Sequence, residues 1–382
     1  MRIDIVCCLS MLCNLRCRYC DVYPMLGDSR RMSLEQVQRI FVNVHEHFSR
    51  LDKPIHINFQ WYGGEPLLIP PESYRKIFDL QRLVFNGSGH RITNSVQSNF
   101  ILIDEERIAL LRDHFDVVGA SLDLFTDLRV NKAGVCQEFQ AVTNLENVLS
   151  AGVEVSGITV LTRPNLPHIS EIYEFYRDRR MSFRLLPLER GLYAAGQDFE
   201  VTPGETLEAL CRLADVWLSD SNPVPVEPLS RYLFLVRHML GHPGNRVGLY
   251  DREEWMSILL ISTDGTVRGY GDRFQETLGN IFDLSLSEIL FGPRFHSAAQ
   301  TARNRMQRTC TGCSYLGRAC SGDPIAESQQ DLVEFDDFGN VRCVVARGVI
   351  SYLEDRLQRN RGWVDGSIGA AVCEPYSSLT EV

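Results

Sequence analysis

The chain has 382 residues, of which 44% are apolar and 23% charged. A chain of this length and composition can bury a large core, and we expect one large domain and a smaller second one. Its formal net charge of −10 would repel a phosphate backbone, so we expect no nucleic-acid substrate. Since it has neither an apolar run of about 18 residues nor a secretory signal pattern, we expect a cytoplasmic protein that does not bind membranes.

Short β-branched or apolar runs alternate with amphipathic stretches from Met1 to about Pro187, which is typical of strand–helix units and a parallel sheet. Helices are predicted between the strands, among them 33–48, opened by Ser33, and 71–85. The six predicted strands cover residues 3–8, 56–60, 91–97, 117–122, 153–161 and 183–186. Together they predict an α/β fold, a partial (β/α)6 barrel over residues 1–191.

Residues 192–250 are rich in helix formers, with a helix start at Thr202 and Pro203, and are predicted to be a helical connector. A small α+β unit is predicted over residues 251–361. It contains a hairpin with its turn at Asp264-Gly265, a cysteine-rich segment and a helix from about 343 to 359. The small, polar residues 362–382 have no clear period and are expected to be poorly ordered.

Twelve cysteines in a large chain without an export signal are more typical of metal sites or catalysis than of disulfides. Cys13, Cys17 and Cys20 follow the first predicted strand, where the catalytic loops of barrel folds gather. A four-iron cubane takes four thiolates, so three from one loop would leave the fourth iron open. An open iron could chelate S-adenosylmethionine (SAM) and pass it an electron, which would release a 5′-deoxyadenosyl radical. The alternatives are a structural zinc loop and free core thiols.

A second motif, Trp61-Tyr62-Gly63-Gly64-Glu65-Pro66, follows the second predicted strand. Its two glycines would let backbone groups approach a ligand closely, and Glu65 could neutralise a ligand ammonium group. The alternative is an ordinary Gly-Gly turn.

Cys-x3-Cys-x2-Cys followed by Gly-Gly-Glu-Pro resembles the radical SAM superfamily, and the resemblance covers nearly the whole chain. It implies a SAM-binding [4Fe-4S] cluster on the three cysteines. The residues that it implies as cofactor contacts are Tyr19 near the adenine, Gly63, Gly64 and Glu65 at the methionyl amino group, Gln97 and Asn99 after the third strand, Ser121 and Asp123 at the ribose, and Arg184. For the polar members of this set, strand-end capping is the alternative.

Four later cysteines, Cys310, Cys313, Cys320 and Cys343, could supply four thiolates to one closed site. A four-cysteine zinc site would use the same residues, and the spacing alone favours zinc. The preceding hairpin and the run Leu278-Gly279-Asn280-Ile281 resemble the SPASM extension of radical SAM enzymes that mature peptides and proteins. This resemblance implies an auxiliary [4Fe-4S] cluster.

The chain departs from the full SPASM pattern, in which ligands for two auxiliary clusters are present. Its hairpin segment Val267-Arg268-Gly269-Tyr270 offers no cysteine, and Pro324 lies four residues after Cys320, where complete members carry one. We therefore expect a SPASM/twitch-type extension with one auxiliary cluster, so that seven cysteines hold two clusters in all. Cys7, Cys8 and Cys211 are expected to be buried, inert thiols.

The resemblance favours a ribosomally made peptide as substrate, and the missing cluster argues against sulfatase maturation itself. A second hypothesis is oxidation or rearrangement of a small metabolite, and a third is a zinc-stabilised binding protein. Asp272, in Tyr270-Gly271-Asp272, could act as an acid or base at the barrel mouth, with a surface turn residue as the alternative.

Two protein partners are expected. One is a reductant such as flavodoxin or ferredoxin. Because only twelve residues precede Cys13, a leader peptide would need another docking surface or a separate leader-binding protein.

Overall fold

The structure is a computed structural model that describes residues 2–51, 54–188, 198–242, 244, 246–255, 258–269, 277–327, 333–335 and 341–360. Asp272 and its neighbours Tyr270 and Gly271 lie outside the described residues, as do residues 362–382.

The first half of the chain alternates strands with helices. Its elements are β1 (Arg2–Ser10), α1 (Leu34–Phe48), β2 (His56–Gly63), α2 (Pro71–Phe85), β3 (Arg91–Ser98), α3 (Glu105–His114), β4 (Val117–Ser121), α4 (Glu138–Ser150), β5 (Val155–Leu161), α5 (Ile169–Asp178) and β6 (Phe183–Pro187). Strands β1 to β6 pair in parallel, each with the next. All six predicted strands are present, and the predicted α/β class is confirmed.

The second half begins with helices and continues with short strands. Its elements are α6 (Pro203–Ser219), β7 (Val226–Glu227), α7 (Leu229–Gly241), α8 (Arg252–Trp255), β8 (Ile258–Ile261), β9 (Thr266–Gly269), β10 (Gly279–Asn280), α9 (Leu286–Leu290), α10 (Pro293–Cys310), α11 (Asp323–Ala326), β11 (Val333–Phe335), β12 (Val341–Cys343) and α12 (Val345–Arg359). Strands β8 and β9 form the predicted antiparallel hairpin.

Ten of these strands form a single sheet in the order β10-β9-β8-β1-β2-β3-β4-β5-β6-β7. Two features of this sheet were not predicted from the sequence. The hairpin joins the barrel sheet, because β8 pairs in parallel with β1. At the other edge, β7 pairs in parallel with β6. Among the described residues, β10 and β7 do not pair with each other, so the sheet is an open, partial barrel.

Local signals explain where the helices begin. Ser33 accepts a hydrogen bond from Gln36 N, and the Gln36 side chain in turn accepts one from Ser33 N, which makes a capping box for α1. Thr202 and Glu205 form the same box at the start of α6, where the sequence predicted a helix. No helix in the described part of the chain is both long and apolar enough to span a bilayer.

Helices cover one face of the sheet. Phe41 of α1 packs edge-on against Phe59 of β2 with ring centroids 4.9 Å apart, in a core of fully buried side chains. On β5, Gly157 makes room for the Tyr176 ring of α5, since a Cβ there would lie 2.0 Å from a Tyr176 ring carbon.

The other face lines the barrel interior. Ser121, Ile158, Arg184 and Glu227 are register partners on β4, β5, β6 and β7. Because registered neighbours in parallel strands point to the same side, their side chains form one row, opposite to the face that Tyr176 covers. We call this set the interior row.

Candidate active site and metal centres

The loop after β1 brings Cys13, Cys17 and Cys20 together. The Cys17 thiol interacts electrostatically with that of Cys13, and the Cys20 thiol with both. Burial raises the pKa of all three thiols, to about 11 for Cys17 and about 12 for Cys20, where Asp21 adds to the effect. Since thiolates are the ligands of metals, metal binding here must release protons.

A second loop, between β4 and α4, packs along this cysteine loop. Arg16 N donates to Val130 O at 2.7 Å, and Arg18 N donates to Leu128 O at 2.9 Å. These backbone hydrogen bonds fix the cysteine loop to the end of β4, where Asp123 lies.

A buried charge network ties the same two loops together. The Asp123 carboxylate accepts hydrogen bonds from Tyr19 OH, from Arg129 at 2.7 Å and from Val160 N at 2.8 Å. The Asp123 side chain is 1% exposed and the Arg129 side chain 8%. Arg129 was not predicted from the sequence, because no local pattern marks a guanidinium that will be buried. The structure therefore assigns the Asp123 carboxylate to protein partners, and its contact with ribose stays a prediction.

Replacing Asp123 with Asn should destabilise the metal-free protein by about 3–5 kcal/mol, because the Arg129 charge would stay buried without its counter-ion. Denaturant unfolding under reducing conditions measures this loss. Asp79→Asn, at the exposed Asp79–Arg82 pair, is the matched control and should change stability little. Equal stabilities of the Asp123 and Asp79 variants would contradict a buried ion pair.

The two glycines after β2 fit against the cysteine loop. Gly64 N donates to Ser10 O at 3.0 Å, and a Cβ on Gly64 would lie 2.3 Å from Met11 O and 2.4 Å from Leu12 O. Gly63 has φ +144°, and a Cβ there would lie 2.1 Å from Ser10 O. Both glycines therefore lie close to the backbone just before Cys13, and their predicted contact with a ligand stays a prediction.

Glu65 is also held by protein groups. Its carboxylate is 2% exposed and accepts hydrogen bonds from Leu67 N at 2.9 Å, Ser98 Oγ at 2.8 Å and Asn99 N at 2.8 Å. Burial raises the pKa of Glu65, and these hydrogen bonds oppose the rise. The carboxylate therefore joins β2 to the end of β3.

The remaining predicted cofactor contacts lie on the same side of the sheet. Asn99 Nδ2 donates to Asn14 Oδ1 at 2.7 Å and lies 3.8 Å from Cys13 Sγ, so it reaches the cysteine loop directly. Gln97 Nε2 donates to Ser121 Oγ at 2.8 Å. Ser121 and Arg184 are half-buried members of the interior row. Asn14 was missed from the sequence, although it lies between two predicted ligands.

The second cysteine group also converges. The four thiols of Cys310, Cys313, Cys320 and Cys343 line one cavity of ≈ 590 Å³. Burial raises the pKa of Cys310 and Cys320 to about 12, and neighbouring cysteines add to the rise. Among the residues that the structure describes, no group of three or more His, Cys, Asp or Glu side chains has the arrangement for a single metal ion.

The likeness to known proteins agrees with this geometry. Residues 9–176, from the end of β1 to near the end of α5, match the Radical SAM superfamily. This part of the chain is a radical SAM domain. The protein is therefore an enzyme with radical SAM chemistry, as the sequence predicted.

Relatives of this radical SAM enzyme align over most of its length. The serine-type anaerobic sulfatase-maturating enzyme of Bacteroides thetaiotaomicron is 23% identical, covering 82% of this chain and 80% of its own. A cysteine-type anaerobic sulfatase-maturating enzyme of Clostridium perfringens is 26% identical, covering 81% of this chain and 85% of its own.

Solved structures share the fold of this radical SAM enzyme. Native anSMEcpe with bound AdoMet has a TM-score of 0.72 at 20% identity, covering 95% of this chain and 100% of that chain. Streptococcus suis SuiB bound to S-adenosylmethionine has a TM-score of 0.57 at 16% identity, covering 86% of this chain and 75% of that chain.

SAM and a [4Fe-4S] cluster are the cofactors of the radical SAM superfamily, and the thiols of this enzyme fit iron–sulfur groups. A trio of thiols in one loop can bind three irons, and a quartet lining a roomy cavity can close a second site.

In the radical SAM enzyme, Gly64→Ala should displace the cysteine loop, because its Cβ would overlap two backbone carbonyl oxygens that cannot rotate away. We expect strongly reduced SAM cleavage and loss of about half of the bound iron, since one of two equal clusters would be lost. Iron content and 5′-deoxyadenosine formation after anaerobic reconstitution measure both effects. Gly87→Ala, at a site with no neighbour within 4 Å but also with positive φ, is the control. Full activity of the Gly64 variant would contradict the packing.

Proposed function

We propose that this radical SAM enzyme modifies a ribosomally made peptide by abstracting hydrogen from one of its carbons, with a crosslink, an oxidation or an epimerisation as the outcome. The observation that carries the proposal is the Cys13–Cys20 loop, which is hydrogen-bonded to Asn99 and to the β4–α4 loop at the carboxyl ends of the strands. Gly64 packs against the residues just before this loop. Catalytic groups of barrel folds gather at this edge.

Cys13, Cys17 and Cys20 would bind three irons of one cluster and leave the fourth for SAM. When bound, the cluster supplies the electron that cleaves SAM to methionine and a 5′-deoxyadenosyl radical. The protein's part is to hold and shield the cofactor. The residues proposed to line its site are Tyr19, Gly63, Gly64, Glu65, Gln97, Asn99, Ser121, Asp123 and Arg184.

The contacts of these residues suggest different roles within that site. Gln97, Ser121 and Arg184 are half-buried on the interior side of the sheet, so they can reach a ligand. Glu65 and Asp123 use their carboxylates within the protein. We therefore assign Glu65 and Asp123 to orienting the loops around the cofactor.

Cys310, Cys313, Cys320 and Cys343 would hold one auxiliary [4Fe-4S] cluster. The ≈ 590 Å³ cavity that they line supports a group larger than one zinc ion, whose sulfur ligands lie only about 2.3 Å away. An auxiliary cluster would accept one electron from the substrate radical, and this loss oxidises the substrate. Asp272 would act as the acid or base at the barrel mouth.

The relatives support a peptide or protein substrate, since both named above are sulfatase-maturating enzymes. The chain differs from complete SPASM members in the segment Val267-Arg268-Gly269-Tyr270 and at Pro324, where it has no cysteine. This difference favours a peptide other than a sulfatase segment. Oxidation or rearrangement of a small metabolite is the second function that the sequence suggested, and no structural observation favours it over a peptide substrate.

Deuterium transfer tests the proposed function. The reconstituted full-length protein would be incubated anaerobically with SAM, dithionite and peptides deuterated at carbon, among them a sulfatase-type peptide with Cys or Ser. Deuterium in 5′-deoxyadenosine from a peptide supports the proposal, and transfer only from the sulfatase-type peptide would make the protein a sulfatase maturase. A colourless zinc protein that forms no 5′-deoxyadenosine would refute the proposal.

A further inference from the structure

An ion pair joins the second cysteine site to α7. Arg231 of α7 donates two parallel hydrogen bonds to Asp323, the first residue of α11, each at 2.9 Å. Ser321 Oγ also donates to Asp323 at 2.5 Å. The Asp323 side chain is 12% exposed and that of Arg231 30%, so solvent screens the pair only in part. No role was predicted for either residue from the sequence.

The pair lies beside the cysteines that line the cavity. Asp323 directly precedes Pro324 and Ile325, which line the same cavity as the four cysteines. On its other side, Gly322 N donates to Cys320 Sγ at 3.4 Å. Arg231, paired with Asp323, interacts electrostatically with the Cys320 thiol. The cysteine site therefore lies beside one positive and one negative charge that largely cancel.

The pair also faces the barrel. Glu227, in the interior row, interacts electrostatically with both Arg184 and Arg231. Charges thus alternate from Arg184 through Glu227 and Arg231 to Asp323, from the interior row to the cysteine site. Two other charged side chains line the cavity, Arg342 and Arg347, and both are exposed, so solvent screens them more than it screens the ion pair.

We propose that Arg231 and Asp323 are positioning residues of opposite sign that together set the reduction potential of the auxiliary cluster. This inference rests on the proposed function, because it requires a redox-active cluster on Cys310, Cys313, Cys320 and Cys343. Reduction adds one electron to such a cluster, and its potential depends on nearby charge, hydrogen bonds and burial.

The two single substitutions should shift the potential in opposite directions. In Arg231→Met the Asp323 carboxylate loses its counter-ion, which opposes the added electron and lowers the potential. In Asp323→Asn the Arg231 charge is uncompensated, which favours the added electron and raises the potential. The double substitution removes both charges and should return the potential close to its original value.

The test is a dithionite titration followed by electron paramagnetic resonance. It uses the reconstituted full-length protein with Cys17→Ala, so that only the auxiliary cluster contributes to the signal. Each single substitution should change the reduced-to-oxidised ratio at a fixed potential by about tenfold, equivalent to 59 mV for one electron. Arg231→Lys keeps the charge and should shift the potential less than Arg231→Met does.

A matched ion pair separates this role from a purely structural one. Arg303 donates to both carboxylate oxygens of Asp251 in the same region, with a similar exposure of its side chain. Arg303→Met should lower the unfolding midpoint of the metal-free protein as Arg231→Met does, without moving the potential. Shifts of the same sign in the two single variants, or none, would overturn the inference. A parent protein that binds no auxiliary cluster would instead overturn that part of the proposed function.

Discussion

Replacing Cys17 with Ala is expected to abolish 5′-deoxyadenosine formation. The cluster would lose one of the three thiolates that one loop offers, since the thiols of Cys13, Cys17 and Cys20 interact with one another there. Iron should fall from about eight to about four atoms per chain, because the auxiliary cluster remains. Chromatography of the reaction mixture and iron analysis after anaerobic reconstitution measure the two losses.

Cys211→Ala is the matched control for this prediction. Cys211 is a half-buried thiol on α6, far in sequence from both cysteine groups, and is expected to be inert. The control should keep its iron and its SAM cleavage. If Cys17→Ala cleaved SAM as fast as Cys211→Ala, the three-cysteine site could not be the site of SAM cleavage.

Replacing Cys313 with Ala is expected to separate SAM cleavage from product formation. The first cysteine loop would be unchanged, so 5′-deoxyadenosine should still form. The auxiliary site would be left with three thiolates of four and should lose its cluster, so the electron from the substrate radical would have no acceptor. Little modified peptide should appear for each 5′-deoxyadenosine formed.

The ratio of modified peptide to 5′-deoxyadenosine measures this separation, with Cys136→Ala as a second thiol control. Cys136 lies in the loop between β4 and α4, outside both cysteine groups. Coupled turnover at the original ratio in Cys313→Ala would refute an essential role for the second site.

Most of the barrel could be predicted because its signals are local. Alternation of apolar runs with amphipathic stretches located β1 to β6, and Ser33 and Thr202 marked two helix starts that the structure confirms as capping boxes. Short spacing likewise predicted that Cys13, Cys17 and Cys20 would converge, since three residues within eight positions cannot lie far apart.

Partners distant in the sequence could not be predicted. Asp123 and Tyr19 are separated by 104 positions, and Arg231 and Asp323 by 92, and no periodicity encodes such pairs. For Gly64, the sequence indicated a close approach but not its partner, which is the backbone of the cysteine loop. A two-residue strand such as β7 is likewise too short to leave a pattern.

The pairing of β8 with β1 makes the two regions of this enzyme hard to separate. Every residue of β1 is buried, and β8 occupies one of its two edges while β2 occupies the other. A barrel cut before the hairpin would present the backbone of an apolar strand to solvent, where it could pair with other chains and aggregate. Any engineered exchange of the carboxyl-terminal region would therefore have to bring its own equivalent of β8.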